Sequence, residues 1–214
     1  DDGSVVCADL QTAGRGRFDR TWEAKAGENL TFSLILFPGI PADRLGMISV
    51  AFSVAITATI KSLATANRVD IKWPNDILVN GRKICGILQE SAVPSAGGQK
   101  RVIVGVGLNV NQTEFPAGIR DHATSLKIVT GRDFDRVTVL ASLLGHMEDA
   151  YKALHTGQDS ALRSRYEARL VVLGREVTCT KPPDGTEIHG IVTGIDQRGG
   201  LVVSTVTGGE TVLA

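Results

Sequence analysis

The sequence predicts an α+β protein: a mixed sheet with long helices over residues 1–172, then a small β-barrel over 173–214. Three observations carry that expectation. Apolar runs of strand length, 29–37 and 102–110, alternate with longer stripes of helical period at 45–63 and 137–154. Asn80-Gly81 stands between two short apolar runs, the signal of a two-residue turn that needs positive φ at both positions. From Gly174 onward, β segments are punctuated by Asp184-Gly185, Gly199-Gly200 and Gly208-Gly209, the spacing of a small antiparallel barrel.

In chain order, Ser4 to Leu10 reads as a strand entering a polar loop, and Asn29 to Phe37 as a buried strand leaving it. Pro38 to Pro41 ends that strand. Leu45, Ile48, Phe52, Ala55, Thr59 and Leu63 then recur at steps of three and four, predicting a long buried helix. A hairpin around Asn80-Gly81 follows, with Lys83 just past the turn and Gly86 three residues further along the second strand. Pro94 to Lys100 is a surface loop. Val102 to Asn111 is a strand in which Gly105 and Gly107 share one face and leave it without side chains, with Asn109 on the same face. Residues 111–133 lack periodicity and read as a long connection that orders over a ligand. Val137 to Leu154 and Leu162 to Leu170 are amphipathic helices. The expected C-terminal strands are 176–180, 187–196, 201–206 and 210–213.

Composition bounds the function. The 214 residues are 43% apolar and carry 23 acidic against 23 basic side chains. That balance argues against a nucleic-acid binder, whose phosphate contacts need a broad basic face. Cys7, Cys85 and Cys179 have no paired spacing, so reduced thiols are expected, and the four histidines have no metal spacing. No run of about 18 apolar residues and no signal-peptide pattern appears.

The chemistry concentrates in four segments. Gly14-Arg15-Gly16-Arg17-Phe18-Asp19-Arg20-Thr21-Trp22 puts three planar cations and two glycines in one loop, suited to wrapping a phosphate or carboxylate. A lone loop of this kind reads more readily as an exposed turn with solvated charges. Lys72-Trp73-Pro74-Asn75-Asp76 precedes the hairpin, Lys83-Ile84-Cys85-Gly86-Ile87-Leu88 forms its second strand, and Gly105-Val106-Gly107-Leu108-Asn109 lies beyond.

Together, in this order, the four segments resemble the biotin protein ligase family, of the short type without an N-terminal DNA-binding domain. The resemblance covers essentially the whole chain. It implies the catalytic fold of biotin and lipoate ligases with an SH3-like C-terminal domain. It also implies a two-step reaction: biotin and ATP give biotinyl-5′-AMP and pyrophosphate, then a lysine of a biotin carboxyl carrier protein takes the biotin. The resemblance implies Lys83 and Arg17 as catalytic residues, and a biotin pocket from Gln11, Gly14, Arg15, Lys83, Gly86, Leu88, Gly105, Gly107 and Leu108. Arg17, Arg20, Trp22, Lys72, Asn75 and Asn109 are expected on ATP or the adenylate, with Asp76 near Mg²⁺. Trp73 reads either as a site residue or as core.

Family members carry an upstream strand and helix with a Ser/Thr-Thr-Asn element. Ten residues precede Gln11, so the chain reads as N-terminally truncated, with a bare sheet edge and weakened biotin affinity expected. Cytoplasmic location, no membrane, no DNA binding and a possible homodimer complete the implied picture. A lipoate- or octanoate-transferring relative is the first alternative, though the Arg-x-x-Gly-Gly-Gly element expected of lipoate ligases is absent. A non-catalytic regulator that binds biotinyl-AMP is the second.

Overall fold

The computed structural model describes residues 1–18, 20–93, 99–181, 185–205 and 208–213, with the side chain of Lys181 excepted. The loop expected at 94–100 therefore lies mostly outside the described residues, as do Asp19, Asp184 and Val206.

Six strands form the main sheet: β1 (Ser4–Ala8), β2 (Leu30–Leu36), β3 (Val69–Lys72), β4 (Asp76–Val79), β5 (Arg82–Ala92) and β6 (Arg101–Leu108). Their order is β1-β2-β6-β5-β4-β3, and each ladder is antiparallel. Parallel pairing enters through two isolated bridges, Ile71 with Leu170 and Lys83 with Ala123. The turn between β4 and β5 has Asn80 at φ 50° and Gly81 at φ 81°, as the dipeptide predicted.

Side-chain alternation splits the sheet into a packed face and an open one. Phe32, Leu34, Val102, Val104, Val106 and Leu108 are buried in the core. Helix α1 (Gly46–Leu63) packs there, with Ser49 Oγ donating to Gln89 Oε1 at 2.9 Å from above β5. Together with the 3-10 turn at Ala42–Arg44 it is long and apolar enough to cross a membrane. Its apolar stretch is 72% buried inside the protein, which marks a core helix. α3 (Arg136–His155) lies against α1, and Phe52 meets Tyr151 with ring centroids 6.4 Å apart. Phe52 is 1% exposed. Phe52→Ala is expected to destabilise the fold by about 3–5 kcal/mol, read from urea unfolding.

Residues 111–133 depart from the sequence expectation. They contain a short helix, α2 (Leu126–Thr130), which Ser125 caps by accepting from the Ile128 amide and which Gly131 ends at φ 74°. Lys83 and residues 122–124 exchange backbone hydrogen bonds, Lys83 N to His122 O at 2.7 Å and Thr124 N to Lys83 O at 2.9 Å. The connection is thus fastened to β5.

After α4 (Asp159–Glu167), strands β7 (Glu176–Lys181), β8 (Thr186–Ile195), β9 (Leu201–Thr205) and β10 (Glu210–Leu213) make an antiparallel sheet of order β10-β9-β8-β7. It is compatible with an SH3-like module. No ladder closes it into a barrel among the described residues.

Candidate active site

The open face of the sheet is flat because of register. Asp76 pairs with Gly86, Gly86 with Gly107, Gly107 with Thr31 and Thr31 with Ala8, one row across five strands. The next row runs Leu88, Gly105, Ser33, Val6. Apart from Asp76 and Leu88 at their ends, the two rows carry only glycine, alanine, threonine, serine and valine.

 With two glycines adjacent at its centre, the floor lets ring systems lie against backbone.

Lys83 reaches this face through a β-bulge. The β4–β5 ladder steps from Ile77–Cys85 to Leu78–Lys83, leaving Ile84 as the extra residue. Strict alternation would place Lys83 and Gly86 on opposite faces; the bulge re-aims the lysine. Its side chain folds back over Gly86, where an added Cβ would stand 3.2 Å from Nζ. Lys83 Nζ lies 2.6 Å from Asp76 Oδ1, an ion pair without an aligned hydrogen bond. Beneath them Cys85 is fully buried, and burial pushes its thiol up, so it stays protonated.

The arginine loop closes on itself before it crosses the floor. Gly16 N donates to Arg20 O at 2.6 Å, Arg15 bridges Thr21, and Trp22 N donates to Gly14 O at 3.0 Å. Gly14 has to be glycine, since a Cβ there would sit 2.3 Å from the Trp22 carbonyl oxygen. At the tip, Phe18 takes φ 55° and is 76% exposed, with the Arg17 guanidinium 5.1 Å from its ring centroid. Arg15 extends to Glu90 at 3.2 Å, an exposed pair across to β5. The outgoing limb is tied to the 111–125 connection: Lys25 Nζ donates to Glu114 at 2.9 Å, and Asn29 Nδ2 donates to Gln112 Oε1.

A cavity of about 650 Å³ lies between loop and floor, within the usual size of a small-molecule site. Of the residues singled out from sequence, Gln11, Arg15, Arg17, Arg20, Trp22, Lys72, Asn75, Asp76, Lys83, Gly86, Leu88, Gly105, Gly107 and Asn109 line it. Leu108 and Gly14 do not. Leu108 alternates onto the core face and has no exposure, whereas Gly14 backs the Trp22 main chain. Asn75 is fastened to β5, with Nδ2 donating to Ile87 O at 2.8 Å and its carbonyl accepting from Ile87 N at 2.9 Å. Asn109 Nδ2 donates to Thr124 O at 2.9 Å, while its Oδ1 is buried without a hydrogen-bond partner.

Trp22 departs from the expected layout. Its indole lies directly on Gly107, where a Cβ would come 2.3 Å from Cε2, and 5.6 Å from Lys83 Nζ. The glycine surface expected beneath a ligand is therefore shared: Gly107 carries the indole, and the wall at Gly105 and Leu88 faces the cavity. Sequence reasoning missed Phe115, Ile119, His122 and Ala123, which also line the cavity. Nothing local in the sequence links them to Lys83; the bridge at Ala123 brings them there.

The site is thus a glycine-floored sheet face ringed by cations, with a small β-sheet module after it in the chain. Residues 1–109 match the biotin/lipoate A/B protein ligase family, and residues 172–214 match the biotin protein ligase C-terminal domain; the chain belongs to this family. It is similar to the bifunctional ligase/repressor BirA of Bacillus spizizenii, 36% identical over 97% of this chain and 63% of the relative. The biotin–[acetyl-CoA-carboxylase] ligase of Mycobacterium tuberculosis is 34% identical over 99% of this chain and 76% of its own length. Among solved structures, the Aquifex aeolicus biotin protein ligase in complex with biotin and ATP superposes with a TM-score of 0.85. It is 29% identical over all of this chain and 86% of that one. The chain spans less than two thirds of the length of the Bacillus relative.

Proposed function

We propose that the chain is an ATP-dependent biotin protein ligase acting on a biotin carboxyl carrier protein. The observation that carries the reading is the convergence of Arg17, Lys72 and Lys83, from three separate segments, on one cavity above a glycine floor. In the first step a biotin carboxylate oxygen attacks the α-phosphorus of ATP; the bond to the β-phosphate oxygen breaks and pyrophosphate leaves. In the second the acceptor lysine amine attacks the acyl carbon, AMP leaves with the shared oxygen, and the amine loses a proton. Both partners in the first step are anions, so the fixed cations lower the barrier by meeting charge on the phosphoryl oxygens where water is displaced.

Lys83 takes the carboxylate end of biotin and Arg17 the α-phosphate, with Arg20 and Lys72 on the remaining phosphates. The bulge that turns Lys83 over Gly86 supports this placement. Gln11, Arg15, Gly86, Leu88 and Gly105 hold biotin, with Gly107 and Trp22 covering its distal end. Asn109 reads adenine: its unpaired buried Oδ1 is an acceptor fitted to an exocyclic amine. Asn75 acts by holding its segment to β5 rather than by touching nucleotide. Asp76 lines the cavity beside Lys83, with Glu23 and Glu90 also on its wall, and one such carboxylate fits a Mg²⁺ whose other ligands are phosphates and waters. When bound, that ion would offset phosphate charge.

We further propose a functional division at 172/173, cytoplasmic location, no membrane or DNA contact by these residues, and homodimer formation. The test is direct. Incubating the chain with ATP, Mg²⁺, biotin and a biotin carrier domain is expected to add the mass of one biotin to the carrier. Transfer of lipoate or octanoate in its place would favour the first alternative. Adenylate formation without any carrier modification would favour the regulator.

A further inference from the structure

Trp73 sits inside the Lys72–Asp76 segment but does not line the cavity. Its indole Nε1 donates to Gly199 O at 3.1 Å, in the turn between β8 and β9. That turn is rigidly made. Asp196 Oδ1 accepts from Arg198 N and Gly200 N, both at 2.8 Å, and Asp196 N donates to Gly200 O at 2.9 Å. The turn is also pressed onto the catalytic sheet's own helix: a Cβ on Gly46, at the start of α1, would stand 2.3 Å from Arg198 O. A second anchor holds the C-terminal sheet at α4, where Ile195 N donates to Glu167 Oε1 at 2.9 Å.

The segment itself has other fastenings, among them the pairing of Lys72 with Asp76 across β3 and β4. Ile71, just before it, exchanges backbone hydrogen bonds with Arg169 and Val171, at 2.8 and 2.9 Å, and Asn75 is clasped to Ile87. Between these points Lys72 and Trp73 lie on the outermost strand and the turn after it, with no further strand beside them in the sheet order among the described residues. The Trp73 bond to Gly199 is what fixes this stretch against the C-terminal module.

We propose that Trp73 is a positioning residue through which the turn 196–200 of the C-terminal sheet sets the place of Lys72 at the nucleotide phosphates. The inference rests on the nucleotide role proposed for Lys72. It makes the C-terminal sheet a part of the ATP half of the site, with little hold on the biotin half, which is built from β5, β6 and the arginine loop.

The test is Trp73→Phe, which keeps the ring and deletes the donor. Calorimetric titration with a non-hydrolysable ATP analogue is expected to show affinity weakened about three- to tenfold, the loss of one neutral hydrogen bond. Biotin affinity is expected to stay within about twofold, a split that general loosening of the fold would not give. Asp196→Ala, which unmakes the turn without touching Trp73, is expected to weaken the analogue in the same sense. Unchanged analogue affinity in Trp73→Phe, or parallel loss of analogue and biotin, overturns the proposal. If Trp73→Phe does not fold, unchanged analogue affinity in Asp196→Ala overturns it. Pyrophosphate release by the wild-type chain with biotin and ATP is measured alongside; its absence refutes the ligase reading, while the titrations still decide the role of Trp73.

Discussion

Lys83→Ala is expected to slow adenylate formation by about 30- to 1,000-fold, the cost of one charge-assisted contact of about 2–4 kcal/mol made in a closed site. Two features set that size. The ammonium stands where the bulge aims it, between Asp76 and the Trp22 ring, so its position is fixed before any substrate arrives. Its loss also leaves the partly buried Asp76 carboxylate without its cation, which places a bare negative charge beside two incoming anions. Arg17→Ala is expected in the same range but for a different reason, because Arg17 lines the cavity from the arginine loop and is proposed to meet the α-phosphate. Stopped assays of pyrophosphate release with biotin and ATP check both. Rates within a few-fold of wild type for Lys83→Ala would remove the lysine from the chemistry.

Much of this arrangement is legible before folding. Asn80-Gly81 dictates its turn through φ, and the three- and four-residue steps from Leu45 to Leu63 give the core helix, because both signals are local. The odd spacing of Lys83 and Gly86 is also visible. Two residues three apart on a strand share a face only across a bulge, so their joint role in one motif already implies one. Leu108 shows the converse: taken with its glycine neighbours as part of the site, it alternates into the core, and strand parity alone would have excluded it. The cavity wall at Phe115, His122 and Ala123 was not legible, since it depends on pairing between residues forty positions apart in an aperiodic segment. Ser125 caps α2 and Gly131 ends it in the left-handed region, but the helix between them is too short for periodicity to reveal.

Gly107→Ala is expected to be nearly as damaging as loss of Lys83, although alanine is small and apolar. A Cβ at this position would meet Trp22 Cε2 at 2.3 Å, Cζ2 at 2.5 Å and Nε1 at 2.7 Å, so the indole has to leave the floor. With the Trp22 main chain held against Gly14, the ring leaves by turning about its own side-chain bonds, into the cavity that Arg15, Arg17 and Arg20 also line. Displacement is therefore passed to the hoop that carries Arg15, Arg17 and Arg20. Overpacking of this kind costs about 1–3 kcal/mol, which corresponds to about a 5- to 150-fold slower adenylation if it falls on the loop geometry. Gly105→Ala is the control, since its Cβ would have no neighbour nearer than 3.6 Å. That variant is expected to weaken biotin binding, by crowding the wall at Leu88, while leaving the loop as it is. Limited trypsin digestion separates the two: faster cleavage at Arg15 to Arg20 in Gly107→Ala and wild-type cleavage in Gly105→Ala are expected. Equal digestion of both, with adenylation intact in Gly107→Ala, would show that the indole can leave its place without carrying the arginines with it.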